Sequence, residues 1–349
     1  MRIGWKAQAR WLRGTALLVA LAGMAAGAQN THHHGKEGTR IMEAEMVKVA
    51  GDLKFPEGPA YDGKGNIYCS NCNADYVTKV TASGEESIAF RAHPNGDDPF
   101  TFKKTNGMTF YRDGSLFACD FARNAIIRIY PDGRQEIYAG SFEGHPFEQP
   151  NDLAFDPHGN LYFTAPGGSG RAHPTGPIYR VEQGSRKVTK VAEGMAFPNG
   201  LAFTADGKHL YVCESQYNRI VRFPVHADGT LGTLEPFADL SPDGPGEPDG
   251  MAVDVKGNLW ITHYGSHTLL IVDPHGKITH TIRFPHEQDG GPTNIEFAGP
   301  DLRTVYITDP GANALWKLHS DTPGLPLFCA PPNTAGTRDQ GLGTGVGCS

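Results

Sequence analysis

Past residue 50 the chain is a succession of short apolar runs broken by turns bearing Gly, Asp or Asn, and the succession repeats every 44 to 50 residues. Each repeat opens on a polar residue and runs into an apolar strand. The openings are E-G-P-A-Y from Glu57, N-G-M-T-F from Asn106, N-D-L-A-F from Asn151, N-G-L-A-F from Asn199, D-G-M-A-V from Asp249 and, degenerate, T-N-I-E-F from Thr293. Eleven to thirteen residues later stands an aromatic: Tyr68, Phe117, Tyr162, Tyr211, Trp260 and Tyr306. Between the two lie turn dipeptides such as Asp62-Gly63, Asp113-Gly114, His158-Gly159 and Asp206-Gly207. These supply the positive φ angles that tight hairpins require. A third apolar run follows, as in Ala125-Ile126-Ile127-Arg128-Ile129, then a second turn (Pro131-Asp132-Gly133, Pro274-His275-Gly276) and a fourth strand. Four antiparallel strands in each of six units predict an all-β, six-bladed propeller.

A four-stranded blade buries its faces only against its neighbours, so the ring has to close. The sixth unit ends after Ala314-Leu315-Trp316-Lys317-Leu318, where the chain turns Pro-rich. The segment Glu45-Met46-Val47-Lys48-Val49, ahead of the first unit, is the expected fourth strand of that last blade. The propeller then occupies residues 45–320, followed by a Gly/Pro-rich tail over 321–349. Two separate β-sandwiches would use the same strands but leave unexplained the polar residue at the head of every unit.

Composition fits this reading: 349 residues with Gly 44, Pro 26 and 39% apolar residues can fill a core but do not suggest a helical bundle. The N-terminus has a different character. Arg2, Lys6, Arg10 and Arg13 precede the apolar run Ala16 to Ala26, and Ala26-Gly27-Ala28 offers a cleavage site before Gln29. Residues 1–28 therefore read as an export signal, which places the mature chain in the periplasm or the medium. The run falls short of the roughly 20 residues a bilayer span needs, and a retained anchor is the alternative. No other segment could cross a membrane. Residues 29–44, with His32-His33-His34, read as a flexible, solvated leader. Without residues 1–28 the formal charge moves from −7 to −11, and an acidic chain without a basic cluster is a poor nucleic-acid binder. Six cysteines suit an oxidising compartment. Cys329 and Cys348 could close the tail into a loop, whereas Cys69 and Cys72 lack the second pair that a zinc site would need.

In a propeller the first strand of each blade lines the central channel, so its opening residue converges on the axis. Glu57, Asn106, Asn151, Asn199, Asp249 and Thr293 all carry oxygen. Buried together, they would be costly unless something partnered them. A hard cation would: calcium takes six to eight oxygens from carboxylates, amide carbonyls and water. Two carboxylates balance a divalent charge, and coordination positions remain for water or substrate. Magnesium and manganese accept similar ligands, whereas an all-oxygen set disfavours zinc. Taken singly, each Asn-Gly or Asp-Gly reads more readily as a turn than as a ligand. Turns do not explain the recurrence in register, nor Glu57 before Gly58-Pro59.

These stretches resemble the SMP-30/gluconolactonase/LRE-like family, which includes regucalcin-type lactonases and is related to squid-type diisopropylfluorophosphatase. The similarity rests on F-P-E-G-P-A-Y at 55–61, Q-P-N-D-L-A-F-D at 149–156, F-P-N-G-L-A-F at 197–203, E-P-D-G-M-A-V-D at 247–254 and P-T-N-I-E-F at 292–297. The resemblance implies a metal held by Glu57, Asn199 and Asp249, with Asn151 as fourth ligand or substrate contact. It also implies Asp249 as general base or nucleophile; Asn106 lies in blade 2, where the family pattern is weaker, and is a candidate substrate contact only. Some mammalian members carry an arginine two residues before the asparagine of blade 3. Gln149 stands there in this chain, which puts their sugar-acid specificity in doubt and makes Gln149 a candidate substrate contact.

A lactone is an ester strained enough for water to open it when its carbonyl is polarised, and Asp249 could take the proton of that water. The expected partner is a small-molecule lactone, and the expected assembly is a monomer or small oligomer. No G-x-S-x-G elbow is present, which argues against a serine esterase. His263 follows the Asp249 strand and is either a second acid or base or a structural histidine. His145 and Glu148 are expected at the rim, with Phe100, Phe102 and Phe147. Two other readings use the same site: a phosphotriester hydrolase, or an exported binding propeller with a structural calcium.

Overall fold

The computed structural model describes residues 40–42 (backbone), 44–92, 101–285 and 290–331. The expected export signal, the histidine tract, Phe100 and Cys348 lie outside the described residues.

The chain forms six four-stranded antiparallel blades, the first five ordered from the channel outwards as the chain runs, so the structure is a six-bladed propeller. The inner strands are Pro56–Tyr61, Thr105–Phe110, Leu153–Phe155, Pro198–Phe203, Glu247–Val253 and Asn294–Ala298. The ring closes as the sequence suggests. Val47–Ala50 pairs antiparallel with Ala314–His319, with Val47 opposite Lys317 and Lys48 opposite Trp316. A further strand, Arg40–Met42, was not foreseen. It pairs parallel with the outer strand Ile278–Arg283 of blade 5, in the stretch read as leader.

The repeated aromatic explains how blades pack. Each one on the second strand meets the fifth residue of the next repeat's opening. Tyr68 lies 4.9 Å from Phe110, Phe117 5.1 Å from Phe155, Tyr162 5.2 Å from Phe203 and Trp260 5.4 Å from Phe297. Tyr211 packs with Val253, and Tyr306 with Tyr61. Each contact seeds one of six apolar clusters, one per blade interface. Aromatic pairs of this geometry add about 0.5–1.5 kcal/mol each beyond the area they bury. Phe102 and Phe147, expected at the rim, are instead 1% exposed core residues of the interfaces between blades 1 and 2 and blades 2 and 3.

Near the axis, hydroxyls tie blade to blade. Ser70 Oγ donates to the Asn106 carbonyl, Thr164 Oγ1 to that of Asn199 at 2.9 Å and Ser215 Oγ to that of Pro248 at 2.6 Å. Thr262 Oγ1 donates to the Thr293 carbonyl at 2.7 Å, and Thr293 Oγ1 to that of Pro56 at 3.0 Å. These buried bonds hold the heads of the inner strands in a fixed ring.

Cys69, Cys72, Cys119 and Cys213 are buried free thiols, whose affinity for the proton burial raises. Cys329 is disulfide-bonded.

Candidate metal centre on the propeller axis

The head of the inner strand is locally irregular. Register shifts fall between Glu57 and Ala60, Thr105 and Met108, Pro198 and Leu201, and Pro248 and Met251. Such bulges bend a strand and re-aim a side chain. Here each one includes or spans the opening residue. The backbone just before is also unusual. Phe55, Gln149 and Phe197, each two residues ahead of an opening residue with a proline between, have φ of 57°, 52° and 61°. Bulky residues rarely adopt this region, and such conformations cluster at functional sites. The neighbouring blades come close: a Cβ on Gly200 would sit 2.4 Å from the Asp249 carbonyl oxygen. Glycine after the opening residue lets the strand heads crowd the axis.

Glu57, Asn199 and Asp249 are 4%, 6% and 9% exposed, and burial and mutual charge dominate their chemistry. Burial, then the charge of Asp152, lifts the Glu57 carboxyl from an ordinary 4.5 to about 8, against hydrogen bonds from Gly58 N–H and Asn294. Asp249 is pushed well above the carboxylate range by burial, then by Glu57, Asp152 and Glu247, while Asn199 donates to it. Asn199 Oδ1 and Asn106 Oδ1 are buried without a hydrogen-bond partner among the described residues. Asn151 is half-buried beside them, its carbonyl accepting from Gly107 N–H at 2.8 Å.

Two further carboxyls share this shaft. Burial lifts Asp152 to about 7, opposed by Leu153 N–H and by Asn294, whose Nδ2 lies 3.5 Å from Asp152 Oδ2. Glu296, deeper in the channel, is raised by burial to about 8. Sequence reasoning missed Asp152, Asn294 and Glu296, although the repeats carry the clue. The residue after the opening one is Gly in four units but Asp152 and Asn294 in the others. Glu296 replaces the Ala or Thr found at its position in the other five.

Among the described residues, the groups acting on Glu57, Asp152 and Glu296 include no cation. Nor do the described residues contain a group of three His, Cys, Asp or Glu side chains set to hold a metal. The axial set is of another kind, two carboxylates completed by amide oxygens. Buried carboxyls driven towards protonation, with two amide oxygens unpartnered alongside, are the donor set a hard divalent cation satisfies. The residues fit the group that the resemblance implies.

Two expected members lie elsewhere. Thr293 spends its hydroxyl on the Pro56 carbonyl and on Thr308 Oγ1, 3.0 Å away. His263 is wholly buried, with Nε2 2.7 Å from Asn218 Oδ1 and Nδ1 3.7 Å from Asp243 Oδ2. The other second-strand ends behave alike. Asn71 accepts from Lys54 N–H at 2.8 Å, Asp120 from Arg123 N–H at 2.9 Å and Glu214 from Ala196 N–H at 2.8 Å. They brace neighbouring loops. Gln149 is exposed at the rim with His145 and Glu148, its N–H donating to Asn124 Oδ1 at 3.1 Å.

The SMP-30/Gluconolactonase/LRE-like profile matches residues 55–310, a stretch containing all six strand heads. The chain belongs to this family. Over 312 residues it is 26% identical to the diisopropyl-fluorophosphatase of Loligo vulgaris, covering 83% of this chain and 96% of that one. It is 30% identical over 219 residues to pentonolactonase XacC of Haloferax volcanii, covering 62% of this chain and 71% of the relative. Among solved structures, the gluconolactonase XC5397 of Xanthomonas campestris superposes with a TM-score of 0.68 at 25% identity, covering 82% of this chain and 92% of that one. Family membership accounts for the ordered set of strand heads and agrees with the propeller described above.

Proposed function

We propose that this family member is a metal-dependent lactonase whose site is the axial cluster of Glu57, Asn151, Asn199 and Asp249. The observation that carries the reading is the pairing of two buried, proton-hungry carboxyls with the buried amide oxygen of Asn199, which has no hydrogen-bond partner among the described residues. The relatives named pentonolactonase and gluconolactonase support the choice of a cyclic ester over other substrates. A divalent cation, calcium by its preference for such oxygens, would polarise the lactone carbonyl and offset the two carboxylates. Asp249 accepts a proton from the attacking water and returns it to the ring oxygen as the ester bond breaks. Asn199, donating to Asp249, keeps that carboxyl oriented. Asn106, with a free buried amide oxygen, and Gln149, on the rim, are the contacts for substrate hydroxyls. The similarity to a diisopropyl-fluorophosphatase supports a second reading in which a phosphorus ester occupies the same place.

The basic and apolar N-terminal segment, with the disulfide at Cys329, supports a mature protein working outside the cytoplasm.

The test is hydrolysis of glucono-1,5-lactone and a pentonolactone by the mature chain, wild type against Asp249→Asn. The expected result is turnover above the spontaneous rate that falls about 10²–10⁴-fold in the variant, with the fold unchanged by circular dichroism. Equal rates in both proteins would remove Asp249 from the chemistry. Absence of turnover, with diisopropyl fluorophosphate hydrolysed instead, would select the second reading.

A further inference from the structure

The strand head of blade 5 carries a carboxylate on its water side. Glu247 precedes Asp249 by two residues, the place that Gln149 holds before Asn151 in blade 3. Over these three residues the strand passes from exposed Glu247 to Asp249 at 9% exposure. Its backbone is held between them, where Ser215 Oγ donates to the Pro248 carbonyl at 2.6 Å. Glu247 is open to solvent, yet enough protein surrounds it that burial is the main cause raising its carboxyl, as on the wall of a concave mouth. Arg171 is first among the charges opposing that rise, and the Glu247 charge in turn acts on Asp249. The Glu247 carboxylate accepts no hydrogen bond among the described residues.

Arg171 reaches this place from blade 3. It lies on the loop between Leu161–Thr164 and Gly176–Val181, which folds over the strand heads of blades 3 and 4. Gly167 N–H bonds the Glu148 carbonyl at 2.9 Å, and Ser169 Oγ accepts from Phe197 N–H at 3.3 Å. Gly176 abuts Pro198, whose ring a Cβ there would meet at 2.2 Å. The guanidinium is held in advance. Nε and Nη2 donate to the Gln216 carbonyl at 2.9 and 2.6 Å, and Arg171 N–H donates to Gln216 Oε1 at 2.7 Å. It also lies over the Tyr217 ring, 5.5 Å from the centroid. Nη1 makes no bond among the described residues, so one edge of the fork keeps its donors. A guanidinium fixed in this way loses little freedom when it meets a ligand.

We propose that Arg171 and Glu247 are a specificity-determining pair at the mouth of the axial site, reading adjacent hydroxyls of the substrate ring. Arg171 donates to one hydroxyl oxygen, and Glu247 accepts from the next hydroxyl. Both bonds are charge-assisted, the stronger kind. The two charges balance, so the pair suits a neutral, polyhydroxylated ring and has nothing to hold on a bare one. This rests on the reading of the axial cluster as a cyclic-ester site, and adds to Asn106 and Gln149 the charged contacts for the part of the ring away from the carbonyl.

The test uses lactams, which resist hydrolysis and report binding whether or not the chain turns a lactone over. Glucono-1,5-lactam and δ-valerolactam share a six-membered ring, and only the first carries hydroxyls. Ligand-observed NMR titrations of the mature chain supplied with calcium compare wild type, Arg171→Ala and Glu247→Ala, each verified as folded by circular dichroism. Wild type is expected to bind the hydroxylated lactam at least about tenfold tighter, the scale of a charge-assisted hydrogen bond. Each substitution should remove most of that preference, with δ-valerolactam affinity held within about twofold. If Arg171→Ala loosens its loop, Glu247→Ala, which breaks no side-chain bond of the fold, decides. A preference unchanged in either folded variant, equal affinity for the two lactams in wild type, or no binding of the hydroxylated lactam would overturn the proposal. Hydroxyl-dependent binding without turnover of any lactone would count against the lactonase reading and leave the pair standing. Turnover with the preference unmoved in Glu247→Ala would do the reverse.

Discussion

At the scale of single residues, Glu57 and Asp249 compete for the same solution to burial: a proton or a cation. Without a cation the proton wins, because Glu57 rises from 4.5 to about 8, with Asp152 at about 7 and Glu296 at about 8. A carboxyl raised in the fold binds protons more tightly folded than unfolded. Its contribution to stability is therefore full below its unfolded value and is lost as pH climbs through its folded one. The cation-free protein should accordingly melt at a lower temperature at pH 8 than at pH 5, and calcium should restore the difference at pH 8. Scanning calorimetry across that window measures it, and a melting temperature that rises with pH in the stripped protein would contradict the assignment. The six-fold repeat displays which position faces the axis, and the family resemblance is what singled out Glu57, Asn199 and Asp249 among the six. Repetition gives register, not aim: Thr293 turns its hydroxyl to the Pro56 carbonyl, and His263, read as either a second acid or base or a structural histidine, is wholly buried beside Asn218 and Asp243.

The elements hold these side chains by hydrogen bonds between strand heads. Thr262 is the clearest such latch: its hydroxyl donates to the Thr293 carbonyl at 2.7 Å and accepts from Gly250 N–H at 2.9 Å. Thr262→Val keeps the shape and removes the hydroxyl's bonds, while Gly250 N–H keeps the Thr293 carbonyl at 2.7 Å, so the cost is that of net hydrogen bonds, about 0.5–1.5 kcal/mol. Urea denaturation should show that loss, with Thr262→Ser recovering most of it; an unchanged midpoint for the valine variant would mean the latch is not needed. The closing strand was readable because blade 6 ran out of chain just where an unpaired apolar stretch stood before blade 1. The Arg40–Met42 strand was not, since three residues added in parallel at a sheet edge carry no periodicity. Asp152, Asn294 and Glu296 also escaped notice. Each breaks the repeat at one position, and a single departure reads as drift until the structure sets it on the axis.

For the whole molecule, the ring places the strand heads of blades 1, 3, 4 and 5 around one shaft, each blade packed against its neighbours through the recurring aromatic. No single blade could keep two carboxyls so buried and so near each other's charge. Closure of the propeller therefore creates the electrostatic stress that the proposed cation would relieve, and its binding should displace protons. Titration calorimetry of calcium into the stripped mature protein at pH 7, repeated in buffers of different ionisation enthalpy, measures both events at once. Binding at one axial site with net proton release, abolished in Asp249→Asn, is the predicted result. No binding, or binding without proton release, would contradict it.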